Sequence, residues 1–204
     1  ISNCTIQYNH SYCYGGGIYS DGQTLVLQNS DISHNQANGG GGLYLTGTNG
    51  LISGNSISHN NAGGGSGGLQ IMSGSPTLSK NRISNNYAPY DAAMYLHNCN
   101  STFVNNLISE NHGGTAGGAV TFDESSPLFL NNTICKNHAD NFAGCLRFGI
   151  GSNSSPVFRN CIIYGNYVIY YDGDNVYMYD DSGQPDFYYC DLEGGVADFG
   201  GYFN

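Results

Sequence analysis

Large apolar side chains recur along this chain at two fixed offsets within a repeat of 25–29 residues. The sharper series is Ile6, Ile32, Ile57, Ile83, Ile108, Ile134 and Ile163, spaced 26, 25, 26, 25, 26 and 29 residues apart, and Leu192 extends it by another 29. Five residues ahead of these stand Ile1, Leu27, Ile52, Leu78, Phe103, Phe129, Phe158 and Phe187. A period of this size marks a solenoid in which each repeat stacks on the next.

Polar positions recur just as strictly. Asparagine follows each isoleucine by three residues, at Asn9, Asn35, Asn60, Asn86, Asn111, Asn137 and Asn166. Two residues before the isoleucine the side chain is small or an amide: Cys4, Ser30, Asn55, Asn81, Asn106, Asn132, Cys161 and Cys190. Further on, segments such as Leu43-Tyr-Leu45, Leu69-Gln-Ile71, Met94-Tyr-Leu96, Val120-Thr-Phe122, Leu146-Arg-Phe148 and Val176-Tyr-Met178 alternate with period two behind glycines or alanines. That alternation predicts strands with one buried face. No window shows a 3.6-residue apolar period, and glycine interrupts any stretch long enough for a helix.

Together these columns predict an all-β parallel β-helix of about eight coils. It forms a single domain over residues 1–204, with regular coils over 1–166 and longer irregular ones over 167–204. The asparagine column predicts a ladder at an inside turn, where each amide bonds to those above and below and asparagine suits the left-handed backbone of the turn. Ala37, Ala62, Ala88 and Ala139 mark a small inward position after that turn. The prolines of Ser75-Pro76, Ser126-Pro127 and Ser155-Pro156 open the following strand, where no ladder donor is required.

Composition narrows the partners. Thirty-one glycines, 10% charged residues and a net charge of −10 describe an acidic chain with five cations. Nucleic acid is excluded as a partner for want of a basic face. Direct membrane insertion is excluded because no apolar run approaches ~20 residues. The chain starts at Ile1 in mid-repeat, which suggests a mature product or a piece of something longer. The seven cysteines lack CxxC spacing, so a structural zinc site is not expected. Cys161 and Cys190 share a column and are expected as an unbonded pair. Asn3, Asn100, Asn131 and Asn153 head glycosylation sequons of a kind that arises by chance in so Asn-rich a chain.

The run Ser-Ser155-Pro156-Val-Phe-Arg-Asn160-Cys-Ile-Ile-Tyr-Gly-Asn166, together with Gly15-Gly-Gly17-Ile18-Tyr19, resembles bacterial right-handed parallel β-helix proteins. These are the pectate-lyase-like repeats of secreted and surface proteins, including adhesin-like and polymorphic outer-membrane proteins. Tyr189-Cys-Asp-Leu-Glu-Gly-Gly195 is similar to their closing coil. The resemblance covers essentially the whole chain. It implies a right-handed coil and an extracellular or cell-surface location.

Candidate chemistry lies on the outward column of the glycine-led strands: Tyr19, Tyr44, Gln70, Tyr95, Thr121, Arg147 and Tyr177. Tyr19, Tyr44, Tyr95 and Tyr177 form a candidate carbohydrate- or protein-binding face, since tyrosine joins a broad ring to a polar tip. The column holds no acid, whereas glycoside hydrolysis needs two carboxylates. If the chain is a polysaccharide lyase or glycoside hydrolase, His97, Asp123 and Arg147 are its candidates, since lyase chemistry needs a base and a cation or arginine to stabilise the charged intermediate. The motifs of polygalacturonase-like enzymes are missing. Stacked His34/His59 and His112/His138 read as a solvated edge and not as a metal site. The acidic run Asp172–Asp181 is a weak candidate for calcium and lacks the repeating pattern of calcium-binding rolls; no other cofactor is implied. The expected function is therefore a non-catalytic extracellular structural or adhesin-like rod. An extracellular filament subunit that adds head to tail, or a polysaccharide-degrading enzyme, are the alternatives.

Overall fold

A computed structural model describes residues 1–171, 173–195 and 199–201. The chain winds into an all-β parallel solenoid of about seven turns, and no helix occurs among the described residues. Each turn contributes to four sheets. The isoleucine sheet has eight strands (Thr5–Gln7, Asp31–Ser33, Ser56–Ser58, Arg82–Ser84, Leu107–Ser109, Thr133–Cys135, Ile162–Tyr164, Asp191–Leu192). Before it in each coil runs a seven-stranded sheet that begins with Thr24–Gln28 and ends with Asp186–Tyr188. After it comes a six-stranded sheet of two-residue strands, from Gln36–Ala37 to Tyr167–Val168. The glycine-led strands form the fourth sheet, eight strands from Ile18–Asp21 to Phe199–Gly201. The repeat pattern alone resolved two of these four faces.

Register follows the columns. Ile83 pairs with Ile57 and Ile108, and Ile163 pairs with Leu192. The isoleucines from Ile32 to Ile163 are completely buried, because a slip of one residue would turn every one of them outward. Ala37, Ala62, Ala88 and Ala139 are buried as the pattern predicts. Pro76, Pro127 and Pro156 stand directly before strands Thr77–Ser79, Leu128–Leu130 and Val157–Arg159. The core changes character along the rod. Leu27, Ile52 and Leu78 give way in the same column to Phe103, Phe129 and Phe158, whose rings stack at 4.4 and 4.7 Å.

The asparagine ladder is present and has a direction. From Asn9 to Asn166, each Oδ1 from Asn35 onward accepts the preceding coil's asparagine backbone N–H and, in the same sense, its Nδ2. Asn86 Nδ2 reaches Asn111 Oδ1 at 3.0 Å, and Asn111 Nδ2 reaches Asn137 Oδ1 at 2.8 Å. From Asn35 onward each Nδ2 also donates to a backbone carbonyl one coil back, as Asn111 does to Ile83 at 3.0 Å. Asparagine itself is not the left-handed residue, contrary to the expectation from its tolerance. That conformation falls one position earlier, with φ from 56° to 65° through Tyr8, His34, His59, Asn85, Glu110, Lys136 and Gly165. The strain of holding such residues there, roughly 1–2 kcal/mol each, is offset by the amide that closes the corner behind them.

The same device occurs at the preceding corner, where the sequence suggested only a small or amide column. Asn29, Gly54, Lys80, Asn105, Asn131 and Asn160 are left-handed there. A second ladder follows them: Asn55 Nδ2 to Asn81, Asn81 to Asn106 and Asn106 to Asn132, each 3.0 Å. Where cysteine replaces the amide, the Cys190 sulfur accepts from Cys161 N–H at 3.4 Å. Both thiols are free. The first ladder closes on a residue from another column. Asn175 accepts from Asn166 Nδ2 at 3.2 Å and donates to Glu193 O at 2.8 Å. Earlier coils carry Gly17, Gly42, Gly68, Ala93, Ala119 and Cys145 at that place. It is a tight column: a Cβ on Gly42 would sit 2.6 Å from Gly68 O and 2.9 Å from Asn60 Nδ2.

Candidate functional site

The outer column of the glycine-led sheet is in strict register, Tyr19 beside Tyr44, Tyr44 beside Gln70, then Tyr95, Thr121, Arg147 and Tyr177. The four tyrosines do not make one stripe, however. Tyr44 is buried between Tyr14, at 4.4 Å, and Tyr19, at 5.7 Å, both of which are exposed. Gln70 separates Tyr44 from Tyr95. Tyr177 joins a separate cluster, with Phe142 at 4.9 Å and Tyr179 at 5.1 Å.

Between those two aromatic groups the sheet carries polar side chains. Tyr95 donates its phenol to Asp123 Oδ2 at 2.6 Å, and His97 Nδ1 lies 3.0 Å from the same oxygen. Two of the three candidate catalytic residues are thus brought together. Arg147 is not with them: its Nη1 faces Asp91 Oδ1 at 3.5 Å, and its guanidinium lies over the Tyr179 ring at 5.2 Å. Thr121 Oγ1 donates to Asp91 Oδ1 at 2.5 Å.

Asp91 was not among the candidate site residues, and Gln70 stood in the outward column without an assigned role. Asp91 stands where neighbouring coils have Ser66 and Gly117. Gly117 leaves it room, since a Cβ there would meet Thr121 Oγ1 at 2.4 Å and Asp91 Oδ1 at 2.7 Å. Burial pushes the Asp91 carboxyl up from the ordinary range, against the opposing pull of Arg147 and Thr121. Burial and the Asp123 carboxylate likewise push the Tyr95 phenol up, which keeps it a protonated hydrogen-bond donor.

These residues border a cleft of about 340 Å³, lined by Gly64, Gly65, Gln70, Met72, Tyr90, Asp91, Tyr95 and Arg147. Its size falls at the lower end of the ~300–1,000 Å³ typical of small-molecule sites. Two of its polar atoms, Gln70 Oε1 and Arg147 Nε, are buried and have no hydrogen-bond partner among the described residues.

The histidine columns stack as rings. Tyr8, His34 and His59 lie at successive 5.0 Å separations. On the short sheet, Tyr87, His112, His138 and Tyr167 stand 5.3, 4.2 and 5.0 Å apart, with Asp140 Oδ1 3.0 Å from His112 Nε2. Among the described residues, no group of three or more His, Cys, Asp or Glu is arranged to hold a metal. Desolvation, and secondarily the His112 imidazole, hold His138 below the usual histidine range. The unfolded chain therefore takes up a proton near pH 6.5 that the folded chain resists, so stability falls as pH drops through that point. The urea midpoint is expected to fall between pH 7.5 and 5.5, and His138→Gln should flatten this dependence. An unchanged slope in the variant would refute the assignment.

Within the acidic run, Asp172 lies outside the described residues. Asp174 Oδ1 accepts Val168 N–H at 2.8 Å, and Asp180 Oδ2 accepts Gly151 N–H at 2.7 Å, so these carboxylates tie down loop backbone.

Residues 1–147 match the family described as right handed beta helix region. The chain belongs to the right-handed β-helix family. That assignment agrees with the parallel coils and carries no activity with it, since one scaffold hosts many functions. No curated protein and no solved structure matches the chain. In this right-handed β-helix the regular asparagine ladder continues past the matched stretch to Asn166.

Proposed function

We propose that this β-helix is a non-catalytic recognition rod of a secreted or cell-surface protein, binding glycan along its glycine-led face. The observation that carries the reading is the make-up of the cleft. It has one carboxylate, Asp91, which is already engaged by Thr121 and Arg147, while Asp123 and His97 lie outside its lining. Hydrolysis of a glycosidic bond needs two carboxylates across the scissile bond, and lyase chemistry needs a base at the substrate. A cleft with one acid already engaged, two tyrosine rings and uncommitted hydrogen-bonding groups suits binding better than bond cleavage. Sugars offer ring faces for the tyrosines and hydroxyls for the polar atoms. The resemblance to secreted and surface β-helix proteins supports the extracellular placement.

A glycan array probed with the purified domain, paired with assays for new reducing ends and unsaturated uronide products, tests this. Retention of defined glycans without product release is the expected result. Product formed by the wild type and lost in Arg147→Ala would establish an enzyme instead.

A further inference from the structure

We propose that the cleft beside Gln70 and Arg147 recognises the acetamido group of an N-acetylated hexosamine glycan; this rests on the glycan-binding reading above. Charge is the first filter. An anionic ligand would meet Asp91 in a protein of net charge −10. A cationic one would compete with Arg147, whose Nη1 already faces that carboxylate at 3.5 Å. The site therefore suits a neutral group.

Hydrogen bonding is the second filter. Gln70 is only 9% exposed and its Oε1 has no partner, while its Nε2 has only the Met72 sulfur, a weak acceptor, at 3.4 Å. Turning the carboxamide over forfeits little, so it can present either its donor or its acceptor to a ligand. Arg147 Nε adds a second unpartnered donor. Buried groups of this kind favour a ligand that supplies both an N–H and a C=O, because a buried polar group left unpaired keeps its full desolvation penalty. A secondary amide carries both on adjacent atoms.

The third filter is apolar. Met72 and the rings of Tyr90 and Tyr95 line the same cleft. They suit the acetamido methyl, which a vicinal diol lacks. The glycine floor keeps the space open, since a Cβ on Gly65 would lie 2.3 Å from Gln70 Oε1 and drive that side chain outward.

Calorimetric titration with three β-1,4-linked glucose-series hexamers, bearing acetamido, hydroxyl or ammonium at C2, is the test. The acetamido hexamer should bind about tenfold or more tighter than the other two. Gln70→Leu should erase most of that preference, and Tyr90→Ala, at an exposed ring, should weaken binding without lowering the melting temperature. Equal affinity for the hydroxyl hexamer, or wild-type affinity in both variants, overturns the proposal. Binding of an unrelated glycan on the array, with none of the three hexamers bound, refutes the acetamido assignment alone. Silence on the array and in all three titrations refutes the glycan-binding reading with it.

Discussion

Asn111→Ala should destabilise the fold by about 3–5 kcal/mol, near the upper end for a single substitution. The side chain is fully buried. Its Oδ1 accepts the Asn86 backbone N–H and Nδ2, both at 3.0 Å. Its Nδ2 donates to Asn137 Oδ1, Ile83 O and Ser109 O at 2.8, 3.0 and 3.1 Å. Alanine removes all five contacts and strands donors and carbonyls in a corner that water cannot enter, each at about 1–3 kcal/mol. Asn9→Ala, at an exposed rung with donations only to Asn35, should cost under about 1 kcal/mol. Urea unfolding of both variants checks the contrast. Equal losses at the two positions would mean that the amides contribute through local turn propensity and not through the ladder.

Phe129→Ala should cost a comparable amount, about 3–5 kcal/mol, through the cavity it opens. Phe129 is fully buried between Phe103 at 4.4 Å and Phe158 at 4.7 Å, with the edge of Phe122 at 6.1 Å. Its neighbours are held by their own strands and cannot collapse into the space. Phe129→Leu should lose only about 1–2 kcal/mol, because Leu27 and Leu78 occupy the same column in other coils. Thermal melts of the pair separate packing volume from ring stacking. If leucine proves as damaging as alanine, the stacked rings matter beyond the volume they fill.

Much of the fold was legible because parallel stacking puts each residue on its counterpart one coil away. A requirement imposed at Ile83 is imposed again at Ile108, so it surfaces as a column. The corners were harder to read. Their left-handed positions hold His34, Glu110 and Lys136, none of which signals that backbone by type. The second ladder was masked because Ser30 and Cys161 interrupt its amides.

The site escaped for a different reason. Asp91 and Arg147 are 56 residues apart and meet two coils away from each other. Asp91 stands in the segment before a strand, in a column whose neighbouring members, Ser66 and Gly117, carry no acid that would mark the place. The tyrosine column was correctly aligned, yet alignment carried no information on cover: Tyr44 is sealed by Tyr14, which lies outside the repeat's outward column.

The ladders also give the rod an arrow. Every amide from Asn9 to Asn137, and from Asn55 to Asn106, directs one Nδ2 N–H to the side-chain carbonyl of the following rung. The side-chain dipoles therefore add along the axis, and each polarises its neighbours. Turning one over would set carbonyl against carbonyl on one side and amide against amide on the other. Coils transplanted between such rods must keep the same chain sense, whatever their sequence.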